Sequence, residues 1–197
     1  MIGGNIINES IQDKMVAQIV SLSKDRLKNY GDYDFFKNII EKMCDALGER
    51  NSFNGEEFFA FPLVEKMAEM PVEFYQGIGL GYRAEYIRRL SVDIVNGFNV
   101  NQMENLSTTE LKKTLVKIYG VGPKVADCVS LFGFHRADSF PVDTWIEKVY
   151  VQDFKGTLKD RSKIAKYFLN RFKENSGYYQ QYLFYYARLK EKSTFNK

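Results

Sequence analysis

One stretch of the sequence, residues 107–133, constrains the fold more than any other, because it carries start, turn and restart signals in order. Ser107 and Glu110 have the spacing of a capping box, which favours the start of a helix. The Gly-Val-Gly run at 120–122 predicts a sharp turn. Pro123 follows, and proline suits the first turn of a helix. The stretch is therefore predicted to form two helices joined by a tight hairpin.

The second of these helices carries a lysine where chemistry could use it. Lys124 lies in the first turn, one helical turn before Cys128 and on the same side. The hairpin amides and the helix N-terminus together suit a phosphate group. Further on, the Phe-Pro-Val run at 140–142 leads to Asp143, a plausible N-cap of another helix.

The rest of the chain predicts an all-α protein, because strand signals are nearly absent. Helices are expected near 8–28, 33–47, 83–96, 159–174 and 177–190, with short helical turns between 62 and 76. The stretch 51–55 reads as a turn-rich loop.

Composition excludes several classes of protein. Hydrophobic residues make up 45% of the 197 residues, but no run reaches membrane length and the N-terminus lacks the pattern of a signal peptide. An intracellular location is expected. The formal net charge of +3 favours a nucleic-acid partner only weakly. Two cysteines and one histidine exclude a four-cysteine zinc or iron–sulfur site within one chain.

Two motifs together resemble a known family. The run Gly-Val-Gly-Pro-Lys-Val-Ala-Asp-Cys at 120–128, with Pro-Val-Asp at 141–143, is similar to the 8-oxoguanine branch of the helix-hairpin-helix DNA glycosylase superfamily. The resemblance covers roughly residues 33–190. It implies a two-lobed helical glycosylase fold forming one domain over 1–197. In that domain 1–28 is an unmatched N-terminal helix, 107–133 is the hairpin unit and 134–197 holds the C-terminal helices.

The resemblance also implies roles for residues at the site. It makes Lys124 the nucleophile that forms a Schiff base with the sugar, and Asp143 the carboxylate that assists it. It places the extruded base between Cys128 and Phe184, with Gln180 on its Watson–Crick edge.

Further positions are expected to touch DNA. Tyr82 would wedge into the duplex beside the vacated site, and Arg83 would read the orphaned cytosine. The hairpin residues Gly120, Val121 and Gly122 would grip the backbone. Trp145 stands where the family usually has a DNA-contacting histidine.

The implied activity is that of a monomeric DNA glycosylase and abasic-site lyase acting on 8-oxoguanine in duplex DNA, without a cofactor, in the cytoplasm or nucleoid of a prokaryote. Two alternatives remain open. One is a non-catalytic DNA-binding protein, in which Lys124 only binds phosphate and Asp143 only caps a helix. The other is a related glycosylase for a different oxidised purine.

The sequence departs from the family in ways that bear on selectivity. The usual N-terminal sheet domain is not matched. The asparagine run and the second cytosine-reading arginine are expected near 30–36, where neither residue type occurs. Tyr119 also replaces the common proline of the hairpin.

We therefore predict a weak preference for the base opposite the lesion, because Arg83 alone remains of the expected arginine pair. Turnover on four duplexes that differ only in the opposite base measures this preference. A strong preference for cytosine would contradict the prediction.

Overall fold

The computed structural model describes residues 32–195, and these form a helical protein with one small β-hairpin. The all-α class predicted from the sequence is confirmed. The described residues divide into two compact units, 32–104 and 105–195. The helix predicted at 8–28 lies outside the described residues, and the single domain over 1–197 stays a prediction.

The first unit consists of short helices and the hairpin. Its elements are α1 (Asp32–Leu47), β1 (Arg50–Phe53), β2 (Glu56–Phe59), α2 (Val64–Glu69), α3 (Val72–Gly77), a 3-10 turn (Gly81–Arg83), α4 (Ala84–Val95) and a second 3-10 turn (Asn101–Asn105). Four apolar residues of α4 recur at helical spacing, and all of them are buried: Ala84, Ile87, Leu90 and Ile94. The helical period of the sequence therefore placed this face correctly.

Tyr75 lies at the centre of the first unit and is fully buried. Its hydroxyl donates a hydrogen bond to the carbonyl of Met67 at 2.5 Å. Burial raises the pKa of this phenol to about 12, so the group stays neutral.

The stretch predicted to be a loop near 51–55 is part of the antiparallel hairpin formed by β1 and β2. Asn54 and Gly55 make its turn with positive φ values of 51° and 82°. Asn-Gly is the favoured pair for such a two-residue turn, and this signal was missed. All eight strand residues are exposed. Because neither face of the hairpin is buried, the sequence lacks the alternation of apolar and polar residues that predicts a strand.

The second unit contains the remaining helices. They are α5 (Thr108–Leu115), α6 (Pro123–Cys128), a π-helical turn (Val129–Gly133), α7 (Thr144–Gln152), α8 (Arg161–Phe172), a 3-10 turn (Lys173–Asn175) and α9 (Ser176–Phe195). Among the described residues, no helix is both long enough and apolar enough to cross a membrane.

Aromatic rings form the core between α7, α8 and α9. The ring of Phe168 stacks on Phe140 at 4.6 Å and on Phe172 at 5.8 Å between centroids. Phe172 in turn stacks on Tyr179 of α9 at 4.1 Å. The segment that precedes α7 is thus packed into the same core as the two C-terminal helices.

Replacing Phe168 by alanine is expected to lower the free energy of unfolding by about 3–5 kcal/mol, because it leaves a cavity in this stack. Urea denaturation followed by far-UV circular dichroism measures the change. Phe53→Ala is the matched control, since that ring is 70% exposed. Its cost should stay within about 0.5 kcal/mol. Equal losses in the two variants would contradict the assignment of the core.

Candidate active site

The predicted capping box is present at the start of α5. The Glu110 amide donates to the Ser107 hydroxyl oxygen at 3.3 Å, and the Ser107 amide donates to the Glu110 carboxylate at 3.2 Å. Hydrogen bonds from Ser107 hold the pKa of the Glu110 carboxyl below its usual value. The buried side chains of Leu111 and Leu115 anchor the helix.

The hairpin between α5 and α6 uses one glycine for its conformation, where two were expected. Gly120 has a φ of 86°, in the region that favours glycine. Gly122 has a φ of −87°, which any residue can adopt, and it is the N-cap of α6. A side chain at Gly122 would meet no atom within 4 Å. The conformation of the turn therefore does not require glycine at position 122. The space around this position, at the N-terminus of α6, is open.

Lys124 and Cys128 occupy α6 as predicted. Pro123 is in the first turn of the helix. The Lys124 side chain is half-buried, and Cys128 is 3% exposed. Directly after Cys128 the helix widens into the π-helical turn, where the Phe134 amide donates to the Val129 carbonyl at 3.1 Å. Such turns occur frequently at functional sites.

An ion pair that the sequence analysis did not anticipate joins α5 to α6. The Lys112 ammonium lies 2.7 Å from the carboxylate of Asp127, with both side chains largely buried. Burial raises the pKa of Asp127, and the nearby Lys112 lowers it by less. The charged carboxylate therefore carries a desolvation cost that its partner offsets only in part.

The segment 134–143, which connects the π-helical turn to α7, is tied to the start of α5. The Arg136 guanidinium donates to the Leu106 carbonyl at 3.2 Å. The Thr108 hydroxyl donates to the carboxylate of Asp138 at 2.8 Å. These bonds fix the path of the chain from the hairpin towards Asp143.

Asp143 is the N-cap of α7, as predicted. Its carboxylate accepts a hydrogen bond from the Ile146 amide at 2.9 Å, and the residue is 5% exposed. Trp145 follows in the first turn and is half-buried, with the ammonium of Lys148 4.6 Å from its ring centroid. The carboxylate therefore lies at the positive end of the α7 dipole.

Gln180 and Phe184 lie on the inner face of α9, next to the segment that leads to Asp143. The Gln180 amide donates to the Pro141 carbonyl at 3.1 Å, and its oxygen accepts from the Gln181 amide at 2.5 Å. Phe184 packs against the cluster that contains Phe140 and Val142. The structure therefore brings two predicted residues, Gln180 and Phe184, to the segment that ends at the third, Asp143.

Gly177 is a site residue that the sequence analysis missed. A methyl group added there would lie 2.3 Å from the Leu131 side chain and 3.1 Å from the Ala137 carbonyl. The Gly177 amide donates to that same carbonyl at 2.6 Å. Because Leu131 is one turn beyond Cys128, this glycine lets α9 approach the helix that carries Lys124. A glycine inside a predicted helix often marks a close approach of another element, and this signal at Gly177 was available in the sequence.

Tyr82 and Arg83 belong to the first unit, where they form the end of the 3-10 turn Gly81–Arg83. Arg83 is buried, and its guanidinium lies 4.6 Å from the ring centroid of Tyr82, which is 55% exposed. Gly81 precedes them with a φ of 56°. The Tyr82 ring is thus exposed to solvent, with the buried Arg83 guanidinium in contact with it.

Within residues 32–195, no cluster of three or more histidine, cysteine or acidic side chains could hold a metal ion. Burial and the neighbouring Asp45 and Glu41 raise the pKa of the Cys44 thiol, which disfavours the reactive thiolate.

Comparison with known proteins identifies clear relatives, although no family model matches the chain. A probable N-glycosylase/DNA lyase from Methanothermobacter thermautotrophicus is 32% identical over 169 residues, which are 76% of this chain and 54% of that protein. The N-glycosylase/DNA lyase of Saccharomyces cerevisiae is 28% identical over 133 residues, covering 59% of this chain and 35% of the yeast protein. The chain thus spans about half the length, or less, of these relatives.

Solved structures resemble the whole described fold. The Clostridium acetobutylicum 8-oxoguanine glycosylase/lyase, in complex with double-stranded DNA containing cytosine opposite 8-oxoguanine, superposes with a TM-score of 0.82 and 30% identity. The match covers 91% of this chain and 60% of the clostridial one. The 3-methyladenine DNA glycosylase of Archaeoglobus fulgidus matches with a TM-score of 0.72 at 21% identity, a likeness of fold alone.

The raised pKa of Asp127 predicts a pH-dependent contribution to stability. Below the ordinary value of 3.8 the carboxyl is protonated in both the folded and unfolded chain. As the pH rises above it, the unfolded chain loses this proton first, so the contribution to folding falls until the folded carboxyl also ionises. Urea unfolding of the native protein and Asp127→Asn across this range should show the native protein losing stability relative to the variant as pH rises. A relative gain would mean that Lys112 outweighs the cost of burial.

Proposed function

We propose that this chain is a helix-hairpin-helix DNA glycosylase, similar to N-glycosylase/DNA lyases in sequence and fold, that removes 8-oxoguanine from double-stranded DNA and then cleaves the strand at the abasic site. The observation that carries the proposal is the arrangement around 140–143. There a buried carboxylate, Asp143, caps α7 two residues beyond the carbonyl that binds Gln180. Phosphate binding by the hairpin alone would require neither contact.

In the proposed reaction the amine of Lys124 attacks the anomeric carbon of the damaged nucleotide. The bond from this carbon to the base breaks, and the base leaves with the bonding electrons and takes up a proton. Opening of the sugar ring and loss of the amine protons give a Schiff base. Removal of a proton from C2′ then expels the 3′ phosphate by β-elimination, which cuts the strand.

Asp143 would stabilise the positive charge that develops on the sugar. Its burial excludes most water, so the carboxylate acts in a medium of low dielectric, where a charge interaction is stronger. The Ile146 amide accounts for one carboxylate oxygen.

The base would be held between Cys128 and Phe184, with Gln180 at its edge. The two hydrogen bonds of the Gln180 amide, to Pro141 and from Gln181, fix the plane of the amide. Each bond uses half the capacity of its group, because an amide has two N–H donors and an oxygen with two lone pairs. One donor and one acceptor position can therefore still meet a purine edge.

The remaining DNA contacts are assigned to two surfaces. On the hairpin, Gly120, Val121 and Gly122 would bind the backbone, since Gly122 leaves open space before the α6 amides. Trp145 would contribute from the first turn of α7. In the first unit, Tyr82 would fill the gap left by the flipped base and Arg83 would read the opposite cytosine.

The proposed reaction needs no cofactor, because the amine and the carboxylate are both part of the chain. We infer that the protein acts as a monomer inside the cell, in the cytoplasm or nucleoid of a prokaryote, where its DNA substrate lies.

Borohydride trapping on a duplex containing 8-oxoguanine tests the function. The native protein should form a covalent adduct on damaged DNA only, and Lys124→Gln should form none, because borohydride reduces a Schiff base to a stable amine. Lys117→Gln removes the same charge from an exposed position near the hairpin and should leave trapping intact.

Other trapping results would change the assignment. An adduct with Lys124→Gln would show that another amine is the nucleophile. Binding of the duplex without adduct or base release would reduce the protein to a DNA-binding module. Reaction only with another oxidised purine would correct the substrate.

Two substitutions of Asp143 separate its chemistry from its structural role. Asparagine caps helices about as well as aspartate, so Asp143→Asn should be more stable than Asp143→Ala by about 1 kcal/mol in urea unfolding. Both variants should lose base excision by about 100-fold or more, because both lack the charge. Near-native excision by Asp143→Asn would reduce Asp143 to a helix cap.

A further inference from the structure

The ion pair between Lys112 and Asp127 crosses the hairpin near its base. The two residues stand eight positions before and seven positions after Gly120, almost symmetrically about the turn. Their charged atoms are 2.7 Å apart, a distance typical of a strong charge-assisted hydrogen bond. The Lys112 side chain is 24% exposed and that of Asp127 is 17% exposed, so solvent screens the contact little.

A gain in folding stability does not account for this pair. Taking two charges out of water costs free energy that their attraction often fails to recover. Here the pKa of Asp127 remains raised even with Lys112 in contact, because the effect of burial on the carboxyl exceeds the opposing effect of the ammonium. Replacing a buried ion pair by well-packed apolar residues of similar volume is often neutral or stabilising.

The ion pair does fix the direction in which the Asp127 side chain leaves α6. Apolar contacts tolerate rotation and sliding of a helix, whereas a short hydrogen bond between charges does not. Asp127 lies three residues after Lys124 and directly before Cys128, on a helix of six residues. Fixing the direction of the Asp127 side chain therefore fixes the rotation of the whole of α6.

The need for such a restraint follows from the end of α6. Immediately after Cys128 the hydrogen-bond pattern changes to the wider π-helical turn, Val129–Gly133. A π-helical turn replaces the regular i→i+4 bonding of an α-helix by i→i+5 bonding, so the regular ladder of α6 is not continued beyond Cys128. Asp127 is the last polar residue before this change.

We propose that Lys112 and Asp127 are positioning residues, which set the rotation of α6 and so aim the amine of Lys124 at the anomeric carbon. This inference rests on the proposed role of Lys124 as the nucleophile. Neither residue touches the substrate in this arrangement.

The test replaces the pair by apolar residues in Lys112→Met/Asp127→Leu. We expect an unfolding midpoint no lower than that of the native protein and an unchanged Kd for a damaged duplex. The single-turnover rate of trapping should fall about 10- to 100-fold, since a small misplacement of a reacting group has costs of this size. Lys112→Arg keeps the charge and the hydrogen bond and should restore most of the rate.

The matched control removes another ion pair between elements of the same unit. Lys190 on α9 contacts Asp153, just after α7, at 2.9 Å on the surface. Lys190→Gln/Asp153→Asn should leave the trapping rate unchanged. A native rate in the Met/Leu double variant would overturn the proposal, as would a double variant that fails to fold, because the pair would then serve stability.

An assay that needs no activity separates this inference from the proposed function. Amide hydrogen exchange at 122–128 should be faster in the double variant than in the native protein at equal unfolding midpoints. Unchanged exchange would overturn the positioning role. If the native protein gave no adduct on any damaged duplex, the proposed function would fail, and faster exchange would still establish that the pair restrains α6.

Discussion

The backbone carbonyls of the 134–143 segment are the acceptors on which the arrangement of the second unit depends. The segment has no regular structure; one turn within it pairs the Ser139 amide with the Arg136 carbonyl at 3.0 Å, and other polar groups find partners outside the segment. Ala137 and Pro141 accept hydrogen bonds from Gly177 and Gln180 of α9. At the other edge, side chains at Arg136 and Asp138 bond to the start of α5. An irregular connection thus joins the start of α5 to the C-terminal helix and leads to Asp143.

Features that depend on neighbours in the chain could be predicted well. The capping box at Ser107, the proline that starts α6 and the Asp143 cap each depend on residues within one helical turn. The buried face of α4 followed from its helical period. Each signal is local, so one sequence is enough to read it.

Two local signals were nevertheless misread. The Asn54-Gly55 turn was missed, and Gly122 was taken for a turn residue although only the positive φ of Gly120 is needed there. Features that depend on contacts distant in sequence were missed. The ion pair of Lys112 and Asp127 joins two helices, and nothing in either helix alone indicates it. Phe184 shows a different limit. Its spacing predicts a core residue, and it does pack on the core, while its place in a base pocket follows from the family resemblance.

Gly177 has a consequence for reading variation in this protein. It carries no functional group, and its importance lies in the volume that it leaves to Leu131 and Ala137. In a saturation-mutagenesis library alanine should be tolerated better than larger residues, because its methyl group would press mainly on the end of the flexible Leu131 side chain, whereas a larger group would also crowd the Ala137 backbone. Tolerance at this position would therefore measure how closely two helices must approach, a distance that no side-chain substitution at Lys124 or Asp143 can report.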